Sequence, residues 1–388
     1  MHIIVLLSLS SCGLGQTDVG LHSSSGGIWH GPSYGKHMSG TVYAVGLDYP
    51  EGYDWRTDAE KGTVRCFLVL FADGIPVLKV PVGDRHEVSS DIDRHRIRSG
   101  FLYTDYTDGM TTVIRRDGVE VVRFAGAEEI VDIEVLDGEI HTLGCPKDGG
   151  FAYRVNGEVM VERPSGTLLS GLSVCEGRMC FCFSQMTVSS DGAILNHYVS
   201  ENGKVSMVKM DKDVEDVLDM GIYGDGLYVL ARTGSSASPV LLKDGIRKSV
   251  AYFNTLDIVS CRFMDTETMS VRLRYRHSGS DHMSDIVWTA GHGWKMFMRG
   301  GLISSLFNDE EGCHAVVFSS ELHEGAVFSG NRRMDLDPGY HVSGDGCITV
   351  RDNIVYAGLT PDQGGSSVIW KNGEQDFLDM NGPLTCLR

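Results

Sequence analysis

Three features of this 388-residue chain predict an all-β fold, a β-propeller of four-stranded antiparallel blades. Asn-Gly and Asp-Gly pairs recur along it, each between two apolar runs. Successive pairs lie about 38 to 48 residues apart, the spacing of four short strands. The runs follow a period of two, and no helical stripe interrupts them. Asn-Gly and Asp-Gly supply the positive φ angles that two-residue hairpin turns demand. The clear pairs are Asp73-Gly74, Asp117-Gly118, Asn156-Gly157, Asn202-Gly203, Asp244-Gly245 and Asn372-Gly373, with Gly293 and Asn331 marking two degenerate copies. Eight copies predict eight blades, with seven as the alternative if a degenerate copy fails.

A second turn precedes the middle of each copy, as at Ser99-Gly100, Asp137-Gly138, Glu176-Gly177 and Asp352-Asn353. One unit therefore reads strand A, turn, strand B, variable connection, strand C, turn, strand D. The third copy is the cleanest, with strands at 130–136, 139–143, 151–155 and 158–162. Its strand A sets Val131, Ile133 and Val135 against Asp132 and Glu134, the alternation of a half-buried strand. The first copy has no persuasive strand A, because 28–38 is rich in Gly, His and Pro. The chain ends in Leu384-Thr-Cys-Leu387, where another strand A would fall. That tail is expected to enter the first blade and close the ring, removing two exposed sheet edges.

The last copy is the best preserved: Ile354-Val-Tyr-Ala-Gly358, a short gap, then Val368-Ile-Trp-Lys-Asn-Gly373. This pattern resembles the repeat of secreted or lipid-anchored propeller proteins of Bacteroidetes. The resemblance covers nearly the whole chain from about residue 40, strongly only in this copy. It implies fold and location, and carries over no catalytic residue.

Location has its own signal. Residues 1–12 form a short apolar run ending in Leu9-Ser10-Ser11-Cys12, similar to the lipobox of bacterial lipoproteins, in which the cysteine is lipidated. The run is too short to span a bilayer as a helix, which needs roughly twenty residues. It lacks the basic n-region of such signals, which points to a start codon upstream. Residues 13–38 read as a flexible tether and 39–388 as one propeller domain. The expected setting is the bacterial cell envelope, outer membrane or periplasm, with membrane contact only through the lipid.

The balance of 34 basic against 52 acidic residues gives a net charge of −18. No basic tract offsets it, which excludes a phosphate backbone as partner. The cysteines other than Cys12 are scattered through apolar runs and read as buried thiols; Cys180 and Cys182 have no second pair at zinc-ligand spacing. The His-Glu-x-x-His and phosphate-loop signatures of enzymes are absent from the sequence. No cofactor or metal is implied.

Candidate binding residues fall on the B-to-C and D-to-A connections, which vary in length where the other turns are short. The 47–62 connection carries Tyr53, Trp55 and Arg56, a set suited to stacking on a sugar or anchoring a protein. Asp91-Ile-Asp93-Arg94-His95-Arg96 leads into the second blade and places Arg94 and His95 beside carboxylates. The 274–282 stretch holds His277, Asp281 and His282, metal ligands by type but not by spacing. The expected function is non-enzymatic binding or scaffolding by a monomer, with a protein or glycan ligand. The alternative is an envelope glycosidase or lyase with carboxylates at the central channel.

Overall fold

The computed structural model describes residues 28–31, 40–55, 64, 66–82, 95–107, 110–189, 192–210, 212–224, 226–234, 236–248, 257–264, 269–279, 281–289, 292–309, 312–319, 324–342 and 346–388. They form an all-β propeller of eight antiparallel sheets, each built on four strands A to D, which settles the count at eight blades. The third blade consists of Glu128–Leu136, Glu139–Pro146, Phe151–Val155 and Glu158–Arg163, close to the spans expected. By its contacts the chain divides into two compact units, Met1–Thr104 with Arg116–Val119 and Phe297–Arg388, and Asp105–Arg115 with Glu120–Met296.

The turn chemistry holds in detail. The six C-to-D turn pairs named above have positive φ at both residues, as at Asn156 (49°) and Gly157 (89°). The Asn or Asp side chain has a second task. Asn156 Oδ1 accepts the Ile140 N–H at 2.9 Å, while the Asn156 N–H donates to Ile140 O at 2.8 Å. The same double clasp joins Asp73 to Val42, Asp117 to Leu102, Asn202 to Met179, Asp244 to Leu227 and Asn372 to Val355. Each clasp pins the C-to-D turn to the start of strand B. In the seventh blade Gly330 takes this position, and its N–H donates to Cys313 O at 3.3 Å.

The tail behaves as expected. Leu384–Leu387 lies antiparallel to Tyr43–Asp48 and supplies strand A of the first blade. The Tyr43 and Arg388 backbones exchange both hydrogen bonds at 2.9 Å. Trp29–His30, inside the span read as tether, adds a fifth strand along Ile75–Val82. Tyr43, Val45, Val69, Phe71, Leu78 and Leu384 are all nearly inaccessible and form the core of this blade.

Strand A departs from simple alternation. In the third blade Ile130 and Ile133 are buried, while Val131 is exposed. A bulge explains the difference: Gly144 pairs with Ile130 and Leu143 with Asp132, so Val131 opposes no residue and is turned out. The bulge re-aims Asp132, whose Oδ2 accepts the Leu172 N–H at 2.9 Å at the entry to the fourth blade. The device recurs. Asp219 follows a bulge at Leu218 and accepts the Phe263 N–H at 2.7 Å; Ser305 follows one at Ser304 and accepts the Cys347 N–H at 2.9 Å. Each bond ties a strand A to the next blade within the same unit.

Replacing Asn156 tests the clasp. Asn156→Ala loses the acceptor and leaves a β-carbon residue at positive φ, and should cost about 2 kcal/mol in urea unfolding. Asn156→Asp retains the acceptor and should cost less than half of that. Equal losses for the two variants would refute the side-chain role.

Candidate binding site

The 49–55 connection is built before any ligand arrives. Tyr49 is buried and stacks on half-buried Tyr53, ring centroids 5.4 Å apart and planes 18° from parallel. Asn381, on the connection that leads into the tail strand, holds this segment from above. Its Nδ2 donates to Pro50 O and Tyr53 O, both at 3.0 Å, and its backbone N–H donates to Asp48 Oδ1 at 3.0 Å. Asp48 in turn forms a buried ion pair with Lys79 at 2.9 Å, and the ammonium lies 4.4 Å from the Phe67 ring centroid. A buried pair of this kind survives only with further partners, which Asn381 and Phe67 supply. Trp55 and Tyr53 are both half-buried and pack against the first-blade core.

The other expected residues do not converge on this point. Arg56 and Arg94 lie outside the described residues, as does Cys12. His95 begins strand A of the second blade, paired with Thr104, and its side chain lies outside the described set. His282 is exposed, and its carbonyl accepts the His277 N–H at 2.9 Å. The His277 ring turns away to the Ser284 hydroxyl at 2.6 Å, so the two imidazoles do not share a ligand position. Among the described residues no three His, Cys, Asp or Glu side chains come together as a metal set.

Carboxylates with described partners hold the fold together. Glu128 receives the buried guanidinium of Arg154, which also lies 4.3 Å from the Phe124 ring. Asp285 accepts two bonds from Arg274 at 2.7 and 2.8 Å. Burial pushes the Cys180 thiol up to about 11 and those of Cys182 and Cys261 up to about 12, far from a reactive thiolate. Burial also holds the His141 and His197 imidazoles below their ordinary value, hence neutral near pH 7.

Two further features escaped the sequence reading. One is a cleft of about 370 Å³ between the fourth and fifth blades, lined by Cys175, Val199, Met207, Ile222 and Leu227. Arg178 spans its rim, paired with Glu176 at 2.9 Å and Glu201 at 2.7 Å. The other is the B-to-C hairpin of the fourth blade. Strands Arg178–Ser189 and Gly192–Glu201 run on together past the sheet, forming a two-stranded arm. Its side chains are exposed: Met186 56%, Val188 77%, Ile194 58% and Leu195 49%. Cross-strand pairing sets Met186 opposite Leu195 and Val188 opposite Ala193, so these four share one apolar face. Contiguous exposed apolar surface of this kind makes the arm a candidate for contact. The uncharged run Met179 to Ser190, long for one strand, was the available signal.

No protein-family model matches the chain, and no curated protein matches it by sequence. Solved structures are similar in fold. The β-propeller domain of the trilobed protease from Pyrococcus furiosus is 10% identical with a TM-score of 0.45, over 77% of this chain and 92% of that one. Acylaminoacyl peptidase from Pyrococcus horikoshii is 11% identical with a TM-score of 0.46, over 84% of this chain and 57% of the peptidase. TolB from Acinetobacter baumannii is 13% identical with a TM-score of 0.37, over 90% and 82%. The chain thus spans little more than half of the peptidase. Function has to be argued from its own residues.

Asn381→Ala should speed amide exchange across 49–55 at least several-fold while leaving the sheet cores protected, read by hydrogen–deuterium exchange. Unchanged exchange in that segment would remove Asn381 as its latch. Asp219 gives a pH signature. Burial, its largest influence, pushes the carboxyl up to about 6 from 3.8, against the pull of the Phe263 and Met220 N–H groups. A raised carboxyl value means stability that is complete below about pH 4 and lost as pH rises through about 6. The unfolding free energy of wild type relative to Asp219→Asn should therefore fall by up to about 3 kcal/mol from pH 4 to pH 7. Parallel pH profiles for the two proteins would contradict this.

Proposed function

We propose that this protein is a non-enzymatic binding or scaffolding propeller of the bacterial envelope, held there by a lipid on Cys12, and that its ligand is a protein. The observation that carries the reading is the fourth-blade arm, an exposed apolar hairpin on one of the variable connections. Its contact face is aliphatic, which suits the apolar surface of a protein better than the hydroxyl-rich edges of a glycan. Tyr53 and Trp55 form a second, smaller contact, with the Asn381 latch lowering the cost of ordering them. The internal use of Glu128, Asp48 and Asp285 supports binding over hydrolysis, because a glycosidase needs two carboxyl groups facing one substrate.

A photo-crosslinking residue at Val188 should give protein adducts in intact cells, and one at exposed Ile246 on the fifth blade should not. Adducts of equal strength at both positions, or at neither, would sink the arm as the contact. Cys12→Ala should release the protein from the membrane fraction and abolish lipid labelling; unchanged fractionation would refute the anchor.

A further inference from the structure

We infer that the partner of the arm is a second copy of this chain, joined by antiparallel pairing of the two Gly192–Glu201 strands along their outer edges. The inference rests on the reading of the arm as a contact surface and names its occupant.

The edge is open by register. Glu201 and Lys204 close the Asn202-Gly203 turn, so odd-numbered residues of Gly192–Glu201 face Lys204–Met207. The bond from the Val208 N–H to His197 O at 2.8 Å is the last of that ladder. Leu195 and Ala193 continue the same edge, and no described strand lies along them. Their backbone N–H and C=O groups point outward, because Ile194 and Asn196 are the residues turned toward Arg178–Ser189. Sheet edges are normally guarded by Lys, Pro or covering chain. Here Gln185 to Ser200 contains one Asp, Glu, Lys or Arg residue, Asp191, in a chain of net charge −18.

That contrast selects the occupant. Two copies repel each other over most of their surface, and the arm is where they can meet with little like charge in the contact. An antiparallel edge is also complementary to itself. With the two-fold axis at Ile194, Ala193 lies opposite Leu195 of the copy and Leu195 opposite its Ala193, and each pair exchanges both backbone hydrogen bonds. The apolar faces then merge, with Met186, Val188, Ala193 and Leu195 of one arm continuous with those of the other. The chain was expected to be a monomer; the arm is an edge along which two copies can join.

Light scattering and sedimentation of the full chain across a wide concentration range test this. Wild type should show a concentration-dependent dimer. Ala193→Pro removes one outward N–H without touching the pairing to Arg178–Ser189, and should raise the dissociation constant about tenfold or more. Leu195→Lys, which keeps the N–H but sets like charges across the axis, should do the same and more strongly at low salt. Ile246→Lys, which adds the same charge at an exposed position on the fifth blade, should leave the dimer intact. A wild type that stays monomeric throughout, or an Ile246→Lys as disruptive as Leu195→Lys, overturns the inference. If the Val188 crosslinker then captures a different protein, the arm remains a contact surface; if it captures nothing, that reading falls as well.

Discussion

The bond from a bulged strand A to the next blade is the constraint on which the rest of this fold depends. A four-stranded sheet of this size is not stable alone, and a blade must be held to its neighbour by more than side-chain packing. One extra residue at Val131, Leu218 or Ser304 rotates the next side chain out of its own sheet. Asp132, Asp219 and Ser305 then accept a backbone N–H of the following blade, a group that burial would otherwise leave costly. The Asx clasps act within blades and the bulges between them.

Charge follows the same division. The buried carboxylates are matched inside the frame, Asp48 to Lys79 and Glu128 to Arg154, each beside an aromatic ring. What reaches the surface at the fourth blade is instead aliphatic, on a hairpin without a third strand.

Much of this was legible in the residues, and the boundary is physical. Asp117-Gly118 and Asn372-Gly373 could be read as hairpin turns because positive φ is a local demand. The place of Leu384–Leu387 could be read from the missing strand A of the first copy. Val131 was assigned to the wrong side because a bulge is set by pairing with Gly144, which local alternation does not encode. The 185–196 segment reads locally as any strand, turn and strand; its open edge depends on where Lys204–Met207 ends. Tyr53 and Trp55 could be proposed by type, but Asn381, the residue that bonds their segment, sits more than three hundred positions away and has no local signature.

The pairing of Leu384–Leu387 with Tyr43–Asp48 also sets an order of events. Thr385 Oγ1 bonds Val45 O across 340 positions, so the first blade begun in synthesis is the last to be finished. Closing so long a loop is slow, and its entropy must be met before the pairing contributes anything. Until the tail arrives, Tyr43–Asp48 has an open inner edge and the early chain stays loosely folded. A fastener 340 positions from its partner works as a timer: the first blade is completed only after the blades between the two strands have had time to form.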